Sequence, residues 1–419
     1  MWKLSNLQAL LIALVLGGYP ISAALGSALG VDSTPLSIAT RALTLLIALM
    51  LIMFAIPRAK VKHPRYAFLF WAFWIAYLIR IAVDTTASAA QLLRPPSDYW
   101  IWALGICLLP SLGLMGVSTA DALRKAFYLS LAILGTATAL TLAFGSGFVI
   151  RFDGTEVNVG RLATESLNPI SAGHLGASLF ILSGWGLVHG YSRSNLSRAI
   201  GVSGLAGGAA LLISAASRGP VAALACVLLV SMVGLRFHNV LKVTFMGVLV
   251  AVVLAMLLTS VTQFDELSVI NRLMATASGE DMAVSARQQS FAGAWNQFLS
   301  NPLLGDFLEE RDSGFYPHNL PLEAFMATGL IGGLAFMAIC WISLRRAYGA
   351  IRQKAAHGWV AMIFIQYLVG AQFSGSLYGS STFWGFAVLM MFATSRLQAA
   401  PSLPPNLPVT AHEPIRRAG

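Results

Sequence analysis

Residues 286–333 read ARQQSFAGAWNQFLSNPLLGDFLEERDSGFYPHNLPLEAFMATGLIGG. The first part mixes charges with aromatic rings; from Asn319 onward it becomes an apolar run that holds a single carboxylate, Glu323. About 20 apolar residues cross a bilayer as a helix, because in lipid the backbone must satisfy its own N–H and C=O groups. The stretch therefore marks a membrane edge, with a surface segment running into a span. Two side chains stand out there. Arg287 is always charged and forks onto phosphate or carboxylate. His318 can take or give a proton near neutral pH. An anion clamp and a proton handler at a membrane surface point to chemistry on a lipid-linked anionic substrate.

The rest of the chain supplies the membrane. Of 419 residues, 57% are hydrophobic and 11% charged, where a soluble domain carries about 25% charged residues. The apolar runs predict an all-α integral membrane protein of about twelve transmembrane helices. They lie near 7–29, 36–56, 67–83, 99–117, 126–144, 171–190, 200–215, 219–235, 240–260, 319–344, 358–375 and 380–396. The N-terminal run reads as a first span rather than a cleaved signal. With the N-terminus in the cytoplasm, every inside connection is basic, from Arg58, Lys60, Lys62 and Arg65 to Arg345, Arg346, Arg352 and Lys354. Only Asp121 and Glu413 among the acids fall inside. This is the positive-inside pattern. It places both termini in the cytoplasm and accounts for the net charge of +10 without a nucleic-acid partner.

Two outer connections are long, 145–170 and 260–317, and both are expected to be partly ordered, the second with short amphipathic helices. The polytopic membrane domain is read as 1–396, and the proline-rich 397–419 as a disordered cytoplasmic tail. Cys107, Cys226 and Cys340 sit in apolar runs, and no Cys/His cluster occurs. Neither a metal nor another cofactor is expected.

Ser285 and Gln288 form a capping box that predicts a helix start. Val284, Phe291, Trp295 and Phe298 then share one face, with Arg287 in the same stripe. Such a segment lies along the membrane surface. Arg287 can there snorkel to headgroups or turn inward onto an anion. Arg218 stands in Ser217-Arg218-Gly219-Pro220, between two spans on the outer side. Pro220 fits a first helical position, and a helix N-terminus beside an arginine suits an anion, although a plain interfacial anchor is the equal reading. Arg161 precedes Asn168-Pro169 in the first long connection; it is either solvated charge or an anion ligand, and Arg151 reads as solvated charge. Asn319 adjoins His318. Glu323, well inside a span, is a functional candidate by default and can equally pair with an arginine. Arg80 and Asp84, four apart, can pair. Arg41 lies just inside the second span. Gly329, Gly332 and Gly333 read as close helix packing.

His318-Asn319, nine residues, Gly329, two residues and Gly332 together resemble the His-Asn…Gly-x-x-Gly pattern of the bacterial O-antigen ligase family, which includes lipopolysaccharide O-antigen ligases and exopolysaccharide polymerases. The resemblance runs from about Arg161 to Gly333. It departs from the ligase pattern at Phe291, where leucine is expected. It implies a GT-C-like, metal-independent inverting glycosyltransferase of the bacterial inner membrane, with its active site facing the periplasm. The donor is expected to be a glycan on undecaprenyl pyrophosphate, held by Arg287, Arg218 and Arg161. His318 is expected to be the catalytic base, with Asn319 orienting its ring or binding sugar; Glu323, a poor ring partner at five residues on, is kept as a possible substrate or supporting residue. The expected acceptor is lipid A–core; a second lipid-linked repeat, making a polymerase, is the alternative. A flippase or permease for lipid-linked oligosaccharide is the rival from another class. Membrane lipids are expected partners throughout.

Overall fold

The computed structural model describes residues 3–54, 64–117, 119–152, 155–164, 166–189, 194–234, 238, 241–242, 244–245 and 282–393. The helices in chain order are α1 Leu4–Leu29, α2 Thr34–Phe54, α3 Pro64–Ala87, α4 Pro96–Met115, α5 Ala120–Phe144, α6 Pro169–Val188, α7 Asn195–Ser214, α8 Arg218–Gly234, α9 Met282–Ser300, α10 Leu320–Arg352, α11 Gly358–Gly370 and α12 Ser381–Ala393. Eight of the described helices are long and apolar enough to cross a membrane, and α8, α11 and α12 are shorter apolar helices. The chain is a helical, multi-pass membrane protein by length and composition. Each predicted span from the first to the eighth and from the tenth to the twelfth meets one of these helices. The ninth, 240–260, lies almost wholly outside the described residues, as do 260–281 of the long connection and the tail 397–419.

One expectation of an all-α chain needs amending. The connection after α5 is an antiparallel hairpin, β1 Ser146–Phe152 and β2 Thr155–Ala163, with Phe152 opposite Thr155 and Ser146 opposite Ala163. The cause is in the residues. The sequence sets a run with Phe148, Val149, Ile150 and Phe152 before one with Val157 and Val159, β-branched and aromatic residues that favour strands, and separates them by Asp153-Gly154, a strong hairpin signal.

The bundle packs through small residues and aromatic rings. Helices α6 and α7 touch backbone to backbone: a Cβ on Gly176 would stand 2.5 Å from the Gly208 carbonyl oxygen, and one on Gly208 would stand 2.6 Å from that of Gly176. At the other side, Phe73 and Trp74 of α3, Phe336 of α10 and Trp384 of α12 form a buried cluster, with Trp74 and Trp384 at 4.9 Å and Phe73 and Phe336 at 5.4 Å.

The segment between α9 and α10 is compact and tied down. Arg80 of α3 donates to the carbonyls of Leu304 (3.2 Å), Gly305 (2.9 Å), Asp306 (2.6 Å) and Ala327 (2.9 Å). It also pairs with Asp84 at 3.2 Å, as the spacing predicts. Asp84 accepts from the Leu308 backbone N–H at 2.8 Å. Glu309, fully buried, accepts from the Leu93 backbone N–H at 2.9 Å and from the Tyr99 hydroxyl. Glu310 accepts from the N–H groups of Asp312 (2.9 Å) and Ser313 (2.8 Å). Glu309 and Glu310 of this segment and Asp84 of α3 thus hold backbone, which helps to set the position of His318 at its end.

Candidate active site

The first element of the site is the turn between α7 and α8. Ala216 takes a left-handed φ of 46°, unusual for a residue with a Cβ, and α8 opens at Arg218, directly after Ser217. Pro220 is therefore the third helical residue, not the first. The second element is the hairpin. Its outgoing strand ends near Arg161, whose Nε donates to the Ala215 carbonyl at 3.2 Å. The third is α9. It already runs from Met282, so Ser285 lies inside the helix and caps nothing. Its buried face holds Ala294, Gln297 and Phe298, while Trp295 is half exposed. The aromatic stripe expected from spacing is thus rotated: Phe298 packs on Phe325 of α10 at 5.3 Å, and Trp295 turns outward. Arg287, partly buried, stays on the packed side one turn before Phe291.

These three elements bring Arg161, Arg218 and Arg287 to one pocket of about 100 Å³, whose wall also includes His174, Ser217 and Ser374. The arginines are far apart in sequence and come from a strand, a helix start and a surface helix. Three guanidiniums around one small hollow form an electropositive site with many N–H donors, suited to phosphate or pyrophosphate. The first residues of α8, Arg218 and Gly219, line the same pocket, and a helix N-terminus favours an anion.

His318 lies just before α10. Its φ is 56°, a left-handed backbone on a non-glycine residue, and such strain clusters at functional sites. The ring stacks on Phe315 at 5.4 Å and meets Tyr316 edge-on at 4.5 Å. Its Nδ1 is buried without a hydrogen-bond partner among the described residues. Burial first, and the positive charge of Arg287 second, push the imidazole down from its usual range to about 4. It is a neutral ring at physiological pH, with one of its two nitrogens unprotonated. His318 lines neither this pocket nor the cavity beside it; its links to them are the charge of Arg287 and the ring of Tyr316, which lines the cavity.

The two supporting candidates hold the scaffold. Asn319 is the N-cap of α10: its Oδ1 accepts from the Leu322 N–H at 3.0 Å, and its Nδ2 donates to the Gln372 carbonyl at 3.3 Å. Glu323 is fully buried, and its partner is not an arginine. It accepts from the Leu377 backbone N–H at 3.0 and 3.1 Å and from the Tyr77 hydroxyl at 3.4 Å. Both residues fasten the segment after α11 to the start of α10, beside the arginine pocket.

Gly329 does more than pack. With φ 61° and ψ −157° it breaks the helical backbone inside α10. A Cβ there would run into the Leu303 carbonyl group. The Leu330 N–H freed by the break donates to the Pro302 carbonyl at 2.7 Å. The glycine lets the 302–306 segment dock on the helix that follows His318.

His174 of α6 is no candidate from the sequence. It has no ligand spacing, and only the approach of α11 identifies it. Its ring stacks on Tyr367 at 5.3 Å and it lines the arginine pocket. Among the described residues no group of three or more His, Cys, Asp or Glu could hold a metal ion. No family model matches the chain, and no curated protein matches it.

Proposed function

We propose that the chain is a membrane glycosyltransferase that transfers a glycan from undecaprenyl pyrophosphate to an acceptor hydroxyl. The observation that carries this reading is the convergence of Arg161, Arg218 and Arg287, from three separate segments, on one small pocket with His318 in electrostatic reach of Arg287. The resemblance of the His318–Gly332 segment to the O-antigen ligase pattern supports it.

In this reading the guanidiniums bind the donor pyrophosphate and stabilise the charge it gains on leaving, the electrostatic role that usually dominates such reactions. The acceptor oxygen attacks the anomeric carbon as the bond from that carbon to the phosphate oxygen breaks. The hydroxyl proton passes to the neutral imidazole of His318. The departing lipid keeps the electron pair as its terminal phosphate oxygen. Attack opposite the leaving group inverts the anomeric centre. The site faces the periplasm of an inner membrane, and the acceptor is lipid A–core.

The test is transfer by the purified full-length protein, given an undecaprenyl-pyrophosphate-linked glycan and lipid A–core in EDTA. Product on lipid A–core is the expected result. Longer lipid-linked chains instead would make it a polymerase. Activity that only magnesium or manganese restores removes the arginine mechanism. His318→Ala protein that still translocates the lipid-linked glycan across a vesicle membrane, with no transfer by the parent protein, would make it a flippase.

A further inference from the structure

A larger cavity of about 490 Å³ adjoins the arginine pocket, and His174 and Ser374 line both. Its walls carry a second pair of guanidiniums, Arg41 from α2 and Arg94 from the connection just before α4. Both lie over the same indole: Arg41 is 5.2 Å and Arg94 5.1 Å from the Trp102 ring. Arg41 also lies 5.5 Å from the ring of Tyr19. Two like charges on one ring repel each other, and the ring faces offset only part of that. Neither guanidinium forms an ion pair or a hydrogen bond among the described residues, and the Arg94 Nε is buried with no partner. No Asp or Glu lines the cavity among the described residues. Trp102 itself sits in a π-helical stretch, Ile101–Leu108, of a kind often found at functional sites.

A cavity with two guanidiniums that make no ion pair or hydrogen bond among the described residues (Glu309 lies only in electrostatic reach of Arg94), aromatic walls formed by Tyr19, Trp102 and Tyr316, and hydroxyls such as Thr40, Thr44 and Ser380 fits one class of ligand. A sugar ring stacks its C–H face on an aromatic ring, its hydroxyls meet the serines and threonines, and an acidic substituent takes the arginines. Tyr316 connects the cavity to the reaction, since it packs directly on His318. We propose that this cavity is the acceptor site and that the acceptor is an acidic saccharide, bearing a phosphate monoester or a carboxylate bound by Arg41 and Arg94 over Trp102. The inference rests on the transferase reading for the word acceptor, but the binding site stands on its own geometry.

Binding is measured by isothermal titration of the full-length protein in phosphatidylcholine nanodiscs with glucose 6-phosphate, glucuronate and glucose. The two acidic sugars bind and glucose binds at least tenfold more weakly. Arg41→Gln and Arg94→Gln each weaken the acidic sugars about tenfold, and Trp102→Leu weakens all three. Arg124→Gln, exposed at the opposite end of the bundle, leaves these affinities within about twofold. Equal binding of glucose, or affinities that ignore Arg41→Gln and Arg94→Gln in variants that keep the parent melting temperature, overturns the proposal. So does a site saturated only by phosphatidylglycerol added to the nanodiscs, which marks a lipid headgroup. The two readings fail separately. Sugar binding without any glycan transfer removes the transferase; transfer with an acceptor KM unchanged in Arg41→Gln and Arg94→Gln removes the acidic-saccharide site.

Discussion

A histidine that stays neutral down to pH 5 is a different reagent from one that titrates at its ordinary value. His318 is pushed to about 4, by burial and then by Arg287. If it is the base, the acid limb of kcat/KM against pH, which reports the free enzyme, falls near 4 and the value is flat from there to neutrality; a limb near the ordinary histidine value of about 6.5 sinks the assignment. Arg287→Gln removes a positive neighbour that disfavours the imidazolium, so the limb of the residual activity moves up in pH. His318→Ala lowers kcat about 10²–10⁴-fold, the usual worth of a general base, and leaves donor affinity in place. The folded-state value lies below the unfolded one, so the same group withdraws stability as pH falls from about 6.5 to about 4, and His318→Phe abolishes that component of the acid melting curve. At this scale the sequence was legible where charge is rare. Arg161, Arg218 and Arg287 stand out because each is a cation at the mouth of an apolar run. Arg41 and Arg94 did not read as a pair, since the indole they share is brought between them by the packing of α2 against α4. Glu323 was visible as a buried acid, but its partner is a backbone N–H more than fifty positions away, which no local pattern encodes.

The elements that carry the site are held by devices that can be removed singly. Gly329 is the clearest: an alanine must adopt the left-handed backbone and also displace the Leu303 carbonyl. Gly329→Ala is expected to cost about 1–3 kcal/mol from the strained backbone alone, read as a lower melting temperature, and to loosen the 302–306 segment as seen by faster amide exchange. Unchanged stability and exchange would mean that α10 is continuous at this point. Arg80 is the second device. Arg80→Gln leaves Asp84 buried without its cation and frees four carbonyls, a change of the class that costs about 3–5 kcal/mol. Asp84→Asn in the same chain recovers part of the loss, because the uncompensated charge is gone while Leu308 keeps an acceptor; a double variant as unstable as Arg80→Gln alone puts the whole effect in the carbonyl contacts. Helices were readable here from hydrophobic period and from Asn301-Pro302, which ends α9. The hairpin was not, although Asp153-Gly154 between two β-branched runs announces it. Strands of seven and nine residues leave no mark in a hydropathy pattern of spans of about 20 residues.

At the scale of the molecule, the pocket has chemical meaning only on one side of the membrane. The hairpin, the start of α8 and Arg287 meet at one end of the bundle, and Asp121, Arg124 and Lys125 lie at the opposite end of α5 from the hairpin that follows it. The distribution of Lys and Arg predicts that this opposite end faces the cytoplasm. The assignment is open to direct labelling. The native cysteines offer little background, with Cys107 and Cys340 buried and only Cys226 partly accessible, so Cys226→Ala provides a quiet parent. Ser313→Cys, in the exposed turn between α9 and α10, then reacts with a membrane-impermeant maleimide in intact spheroplasts. Arg124→Cys, exposed at the start of α5, reacts only after the membrane is opened. The reverse pattern would put the three arginines in the cytoplasm, on the far side from a periplasmic acceptor, and the transfer reaction would have to be abandoned while the helical architecture stood. The expected pattern places the pocket, the neutral imidazole and the acidic-sugar cavity in one compartment, which is the condition for donor and acceptor to meet.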